Sequence, residues 1–270
     1  MTKTLTLGIS TCPNDTFIFD AWINGKIKNV PPVNCFFKDI SELNRIAAAL
    51  TVDVIKVSFY AYGFLREKYR LLNAGGALGR GCGPIVLAAP DAPDLNNSNM
   101  SIALPGELTT ANLLFSLCYP DLKNKVYVRF DEIMPAVADK RVDAGVVIHE
   151  GRFTYHNYGL EMVKDLGAWW EEETGAPIPL GALVARKDLG EEMFRLIESA
   201  IRKSLETARL NPDGALPFMR KFAGEMDDAV VRQHVDLYVN AFTRDLGEAG
   251  RRAVDILFKK AKQQGLFSQR

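Results

Sequence analysis

The chain has 270 residues, 47% of them hydrophobic and 24% charged, with 21 Gly and 13 Pro. That is the composition of a packed globular protein of one large or two modest domains and excludes a disordered, collagen-like or low-complexity chain. The 33 Lys and Arg balance the 33 Asp and Glu, so no general positive field exists to attract nucleic acid or an anionic membrane, and neither is expected as a partner.

Leu5, Leu7 and Ile9 alternate as a strand, the turn Ser10–Asp15 follows, and Thr16–Trp22 reads as a helix ended by Gly25. Val33–Phe37 is the second strand. Asp39 with Glu42 forms a capping-box pattern opening a helix whose buried stripe is Leu43, Ile46, Ala47 and Leu50. The third strand, Val52–Ser58, is mostly β-branched and apolar, as in a parallel sheet covered on both faces. A glycine-rich stretch, Gly75–Gly83, reads as a flexible loop near a crossing between domains, and the Pro-, Asp- and Asn-rich 90–99 continues that crossing. Beyond it the pattern restarts with strand Ser101–Leu104, a helix over Thr109–Leu117, strand Val126–Phe130, a helix near Pro135–Lys140 and strand Ala144–Ile148. Leu180–Ala185 is a last strand, and from Glu191 onward the periodicity is helical, a layer expected to pack back on the first sheet. The expected organisation is α/β with two units, residues 1–90 plus 182–270 and residues 91–181.

The first nine residues lack the apolar core of about 7–15 residues that a signal peptide needs, and no stretch approaches the ~18 apolar residues of a membrane span. Cys12, Cys35, Cys82 and Cys118 are far apart, with no zinc-type spacing, which fits reduced thiols. A cytoplasmic location follows as the expectation.

Ligands of open α/β sheets bind beyond the carboxyl ends of strands. That rule selects Ser10–Asp15, Ser58, Thr109–Thr110 and His149–Glu150, two places in each half, and so predicts a cleft between two domains. His149 stands where a buried strand emerges, and its side chain is suited to proton transfer near neutrality; a loop-binding histidine explains the same position equally well. His156 and His234 read as surface residues. A zinc helix is excluded because residue 153 is Phe. Thr109 and Thr110 open a helix that suits a carboxylate or phosphate, or they merely cap it. Asn14 and Asp15 raise the same choice, Ser58 is a ligand hydroxyl or a turn residue, and Lys56 reaches the cleft or a buried partner. Gly79-x-Gly81 fails the dinucleotide fingerprint, and no Walker sequence or Gly-x-Ser-x-Gly elbow occurs. Trp169-Trp170 reads as core rather than as a ligand platform.

Taken together, Ser10–Phe17, Lys56-Val57-Ser58, Gly81–Pro84, Pro105-Gly106 with Thr109-Thr110, Asp143–Glu150 and Leu166–Glu171 resemble the 1,4-dihydroxy-6-naphthoate synthases of menaquinone biosynthesis. The resemblance runs from about residue 5 to residue 181. It implies a fold similar to type II periplasmic binding proteins, and cleavage of cyclic dehypoxanthine futalosine to 1,4-dihydroxy-6-naphthoate with release of the sugar-derived fragment. It implies a small carboxylated substrate and no metal or organic cofactor. It assigns His149 as proton acceptor and Lys56, Val57, Ser58, Thr109 and Thr110 as substrate-binding residues, with Asn14 and Asp15 lining the same cleft. A solute-binding protein of the same fold and the chorismate dehydratase of the same pathway are the alternative readings.

Overall fold

In the computed structural model, residues 3–93, 95, 97–223 and 227–267 are described. The chain begins with β1 (Leu5–Ile9), α1 (Pro13–Ile23), β2 (Val33–Phe37), α2 (Ile40–Ala48), β3 (Val54–Ser58), α3 (Phe59–Leu65), β4 (Tyr69–Leu71) and β5 (Ala77–Gly79). Helix α1 starts three residues earlier than periodicity suggests, because Pro13 occupies its first turn, where a missing N–H costs nothing. Asp39 caps α2 as expected, accepting from the Ser41 and Glu42 amides at 2.9 and 3.1 Å.

The middle of the chain adds β6 (Ile85–Ala88), β7 (Ile102–Leu104), α4 (Thr110–Cys118), β8 (Lys125–Tyr127), α5 (Ile133–Ala138), β9 (Ala144–Val147), α6 (Gly151–Thr154), β10 (Glu161–Asp165) and α7 (Leu166–Thr174). Strand β11 (Ile178–Arg186) is followed by α8 (Gly190–Leu210), α9 (Pro212–Ala223), α10 (Asp228–Tyr238), α11 (Ala241–Arg244) and α12 (Gly247–Gln263).

The strands form two sheets. The first runs β2-β1-β3-β11-β4, with β5 also on β11, and the second runs β10-β6-β9-β7-β8. Pairing is parallel among β1, β2 and β3 and among β7, β8 and β9, whereas β11 lies antiparallel to β3, and β6 antiparallel to β9 and β10. Each half is therefore a βα unit closed by one reversed strand. The mixed α/β architecture agrees with the expected class, but the change of sheet comes earlier than residue 90. Ile85–Ala88 pairs with β9, and the chain is back in the first sheet by Ile178, where it pairs with Gly79.

The Gly75–Gly83 stretch is also not the loop expected: Ala77–Gly79 is a strand held by β11. Its glycines serve close approach, since a Cβ on Gly83 would collide with the backbone of Gly167. The carboxy-terminal helices pack as anticipated, with Phe194, Ile197, Ile201 and Leu205 of α8 in one core with Leu5, Leu7, Ile9 and Leu183. A larger core joins the halves through Val57, Leu78, Val86, Leu104, Val146 and Trp170. Trp170 is fully buried and donates its indole N–H to the Pro177 carbonyl, in keeping with the core reading of that pair, and Trp169 packs partly buried beside it. No helix among the described residues is long and apolar enough to cross a membrane.

Candidate active site

The strand ends singled out by the topology rule meet in one cleft with about 600 Å³ of empty space, part of it open to solvent. Ser10 follows β1, Lys56 and Ser58 end β3, Thr109 and Thr110 open α4 after β7, and Ile148 and His149 follow β9; Asn14 and Asp15 of α1 and Tyr238 of α10 complete the wall. Val57 does not join them. Alternation along β3 sends its side chain into the core, fully buried, while its neighbours on either side face the cleft.

Asp15 organises the floor. Its Oδ2 accepts from the Ser10 amide at 3.2 Å and hydroxyl at 2.7 Å, and its Oδ1 accepts from Lys56 Nζ at 2.6 Å and Asn14 Nδ2 at 3.1 Å. Lys56 also donates to the Gly75 carbonyl at 2.9 Å. An ammonium has three donors, so one N–H is left for a ligand. The pair is neutral as a whole, so it brings the cleft directed donors rather than net charge.

Ser58 is gripped at both ends by Asn44, whose Oδ1 accepts from the Ser58 amide at 2.8 Å and whose Nδ2 donates to its Oγ at 3.0 Å. The serine hydroxyl proton is thereby turned outward, free to donate. The threonine hydroxyls of the cleft lining are already engaged within the protein. Thr109 Oγ1 donates to the Gly106 carbonyl and accepts from the Asn112 amide as the cap of α4, while Thr110 Oγ1 donates to the Leu180 carbonyl and accepts from the Tyr60 amide. What this helix start offers an anion is its first backbone N–H groups and the positive end of its dipole.

His149 adopts φ +58°, a left-handed conformation that few non-glycine residues take and that recurs at functional sites. The twist turns the imidazole out of the β9 direction into the cleft, with Phe130 and His234 ring centroids each 5.7 Å away and Tyr238 at 6.4 Å. Cys12 Sγ lies 3.5 Å from both ring nitrogens. Burial lowers the imidazole below its ordinary value, and Glu150, Asp15 and Asp39 oppose that shift only in part. The ring is therefore neutral near pH 7 and able to accept a proton. Burial, followed by the Asp15 charge, pushes the Cys12 thiol far up, and burial pushes Cys82, which also lines the cleft, up to about 12. Both are thiols, not thiolates, so neither is an activated nucleophile. Among the described residues no group of His, Cys, Asp and Glu side chains could hold a metal ion.

His156 is exposed as expected, but His234 is not the surface residue it was expected to be. It is fully buried, its Nε2 3.0 Å from Asn14 Oδ1. With Val231 and Tyr238 it forms the buried face of α10. The signal was present as the spacing 231, 234, 238, which Gln233 and Asp236 obscure. Asn44, on the buried stripe of α2, and Cys12 were likewise missed as site residues; a polar side chain on an apolar face marks Asn44. Nothing local marks Cys12, whose contact with His149 spans 137 positions.

The menaquinone biosynthesis family matches residues 5–263. A Thermus thermophilus protein named 1,4-dihydroxy-6-naphtoate synthase is 47% identical over 98% of this chain and 96% of its own length. A Streptomyces coelicolor protein of the same name is 45% identical over 97% and 94%. An Archaeoglobus fulgidus crystal structure superimposes with a TM-score of 0.93 at 36% identity, covering 98% of both chains. The alkanesulfonate-binding protein SsuA of Xanthomonas axonopodis pv. citri, bound to MOPS, has a TM-score of 0.75 at 10% identity over 100% of this chain and 96% of that one, a likeness of fold alone. The two-sheet architecture is that of periplasmic solute-binding proteins, and the chain is an enzyme that belongs to the menaquinone biosynthesis family.

Proposed function

We propose that this enzyme is a carbon-carbon lyase that converts cyclic dehypoxanthine futalosine to 1,4-dihydroxy-6-naphthoate and releases the sugar-derived fragment. The observation that carries the reading is the neutral His149 turned into a cleft that also holds Ser58, Lys56 and the α4 amino terminus, groups that donate to a carboxylate. The names of the relatives at 47% and 45% identity support it. The Ser58 hydroxyl, the spare Lys56 N–H and the first amides of α4 hold the naphthoate carboxylate. His149 then takes a proton from the sugar-derived part, and the electron pair left behind drives the carbon-carbon cleavage as the new ring becomes aromatic. The cleft walls from both sheets orient the substrate and hold the base in reach, and closure of the two halves on it excludes water.

Incubation of the purified protein with cyclic dehypoxanthine futalosine, with chorismate as control and His149→Ala alongside, tests this by mass spectrometry of the naphthoate. Product from the wild type and almost none from the variant supports the reading. Turnover of chorismate alone, or tight binding of the intermediate without product, overturns it.

A further inference from the structure

The hydrogen bonds around His234 fix a proton position that the mechanism has not used. Asn14 Nδ2 faces Asp15 Oδ1, and a carboxylate oxygen already bonded to Lys56 only accepts, so the amide nitrogen of Asn14 is on that side. Asn14 Oδ1 is then the atom facing His234 Nε2, and His234 must carry its proton there. A neutral His234 consequently has its lone pair on Nδ1. That atom is buried and has no hydrogen-bond partner among the described residues. Tyr238, one turn further along α10, lies with its ring 4.6 Å from the imidazole and holds it in place. The His149 ring stands beside it, centroid to centroid 5.7 Å away at an interplanar angle of 44°.

We propose that His234 is a positioning residue for His149, its Nδ1 lone pair being the acceptor for an N–H of His149 once His149 has taken a proton. The inference rests on the reading of His149 as the base. The substrate proton arrives at one ring nitrogen of His149; the N–H that the neutral ring already carries on the other becomes a charge-assisted donor and closes on His234 Nδ1. No proton passes to His234, whose second nitrogen stays bonded to Asn14, and no covalent bond changes beyond the first transfer. The orphaned acceptor is thus kept for a charge that exists only during turnover, and it orients the base besides stabilising it. Other charged or titratable groups facing His149 are Cys12 and Asp15 from the α1 end, Asp39 at the α2 cap, Lys56 on β3, Glu150 on its own turn and Tyr238 on α10.

The test is a pH titration of the full-length protein by ¹⁵N NMR with labelled histidine, which gives three residues to assign, run beside turnover. In the wild type, His234 Nδ1 should shift toward the hydrogen-bonded value as His149 titrates, while Nε2 stays protonated. His234→Gln keeps a donor toward Asn14 but has no acceptor at the Nδ1 position; it should lower the His149 midpoint by about one pH unit and turnover about tenfold, with little change in KM. His234→Asn keeps an acceptor near the Nδ1 position and should recover most of both. A wild-type Nδ1 signal that ignores the His149 titration, a midpoint unchanged or raised in His234→Gln, or equal losses in the two variants overturns the proposal. Full turnover by His149→Ala would remove the base reading and this inference with it, whereas absence of coupling beside an inactive His149→Ala removes this inference alone.

Discussion

The Lys56–Asp15 pair in the cleft is 2.6 Å long with its side chains 4% and 1% exposed, whereas Arg232–Asp213, on the carboxy-terminal helices, leaves 50% and 80% of its side chains in solvent. Arg252–Glu248 and Arg220–Asp228 belong with the second kind. Water screens the helical pairs, and each partner keeps its hydration if the other is lost. Neither Lys56 nor Asp15 has that refuge, so the cleft pair holds only while all its hydrogen bonds are made. The same contact is decoration on one face and a fixed part of the site on the other. Chemistry belongs to the region where a group cannot be released without penalty.

The comparison can be broken most severely at the base. His149→Ala should lower turnover by about 10² to 10⁴ while the urea midpoint stays near that of the wild type, because the imidazole makes no backbone hydrogen bond that the fold depends on. A variant with wild-type turnover would end the assignment. Next comes Lys56→Met, which strands a buried carboxylate and should cost about 3 to 5 kcal/mol in urea unfolding, with partial recovery in the Lys56→Met/Asp15→Asn double variant. Arg232→Ala should cost less than about 1 kcal/mol in the same assay. Equal losses at the two sites would erase the distinction.

Acid should separate the two regions as well. Burial holds His149 and His234 below the ordinary histidine value, His234 well below it. As pH falls through about 6.5 the unfolded chain takes up protons that the folded one refuses, so stability declines there by about 1.4 kcal/mol per pH unit for each proton. The Asp228 carboxyl, held low by its hydrogen bonds from Arg220, contributes stability that is present above its unfolded value near 4 and is lost only as pH falls below it. Urea midpoints between pH 7.5 and 5 should show the histidine slope, and His234→Gln should flatten it by one proton; an unchanged slope would contradict the buried, neutral state of that ring.

The same division governs what the sequence discloses. Strand ends are local events, and Ser10, Ser58, Thr109 and His149 stand out because each closes a short apolar run or opens a helix. Lys56 was open to a cleft or a buried partner on sequence alone, and it takes both. What the sequence hides is set by pairing at a distance. Tyr69–Leu71 and Ala77–Gly79 are too short to declare themselves and Glu161–Asp165 too polar, and they become strands because β11 and β6 supply their partners. His234 reaches Asn14 across 220 positions, so its burial follows from where α10 docks rather than from its neighbours in sequence. The threonine hydroxyls bond within the chain for a related reason: a hydroxyl at a helix start finds a backbone group close by.

The smallest effect isolates strain from chemistry. His149 and Lys140 share the left-handed conformation, with φ of 58° and 56°, but one faces the cleft and the other sits exposed on the turn after α5. A side chain at such a φ costs on the order of 1 kcal/mol that glycine avoids. Lys140→Gly should therefore raise stability by about that much in urea with turnover untouched, and His149→Gly should exceed His149→Ala in stability by a similar margin while both stay inactive. After α5 the left-handed residue ends a helix, with the Arg141 amide donating to the Ala136 carbonyl, a cap that glycine forms at least as well, whereas after β9 the strain aims the base. If His149→Gly gained nothing over His149→Ala, the left-handed twist would be a relaxed conformation, and the orientation of His149 would have to come from its ring contacts with Phe130, His234 and Tyr238 alone.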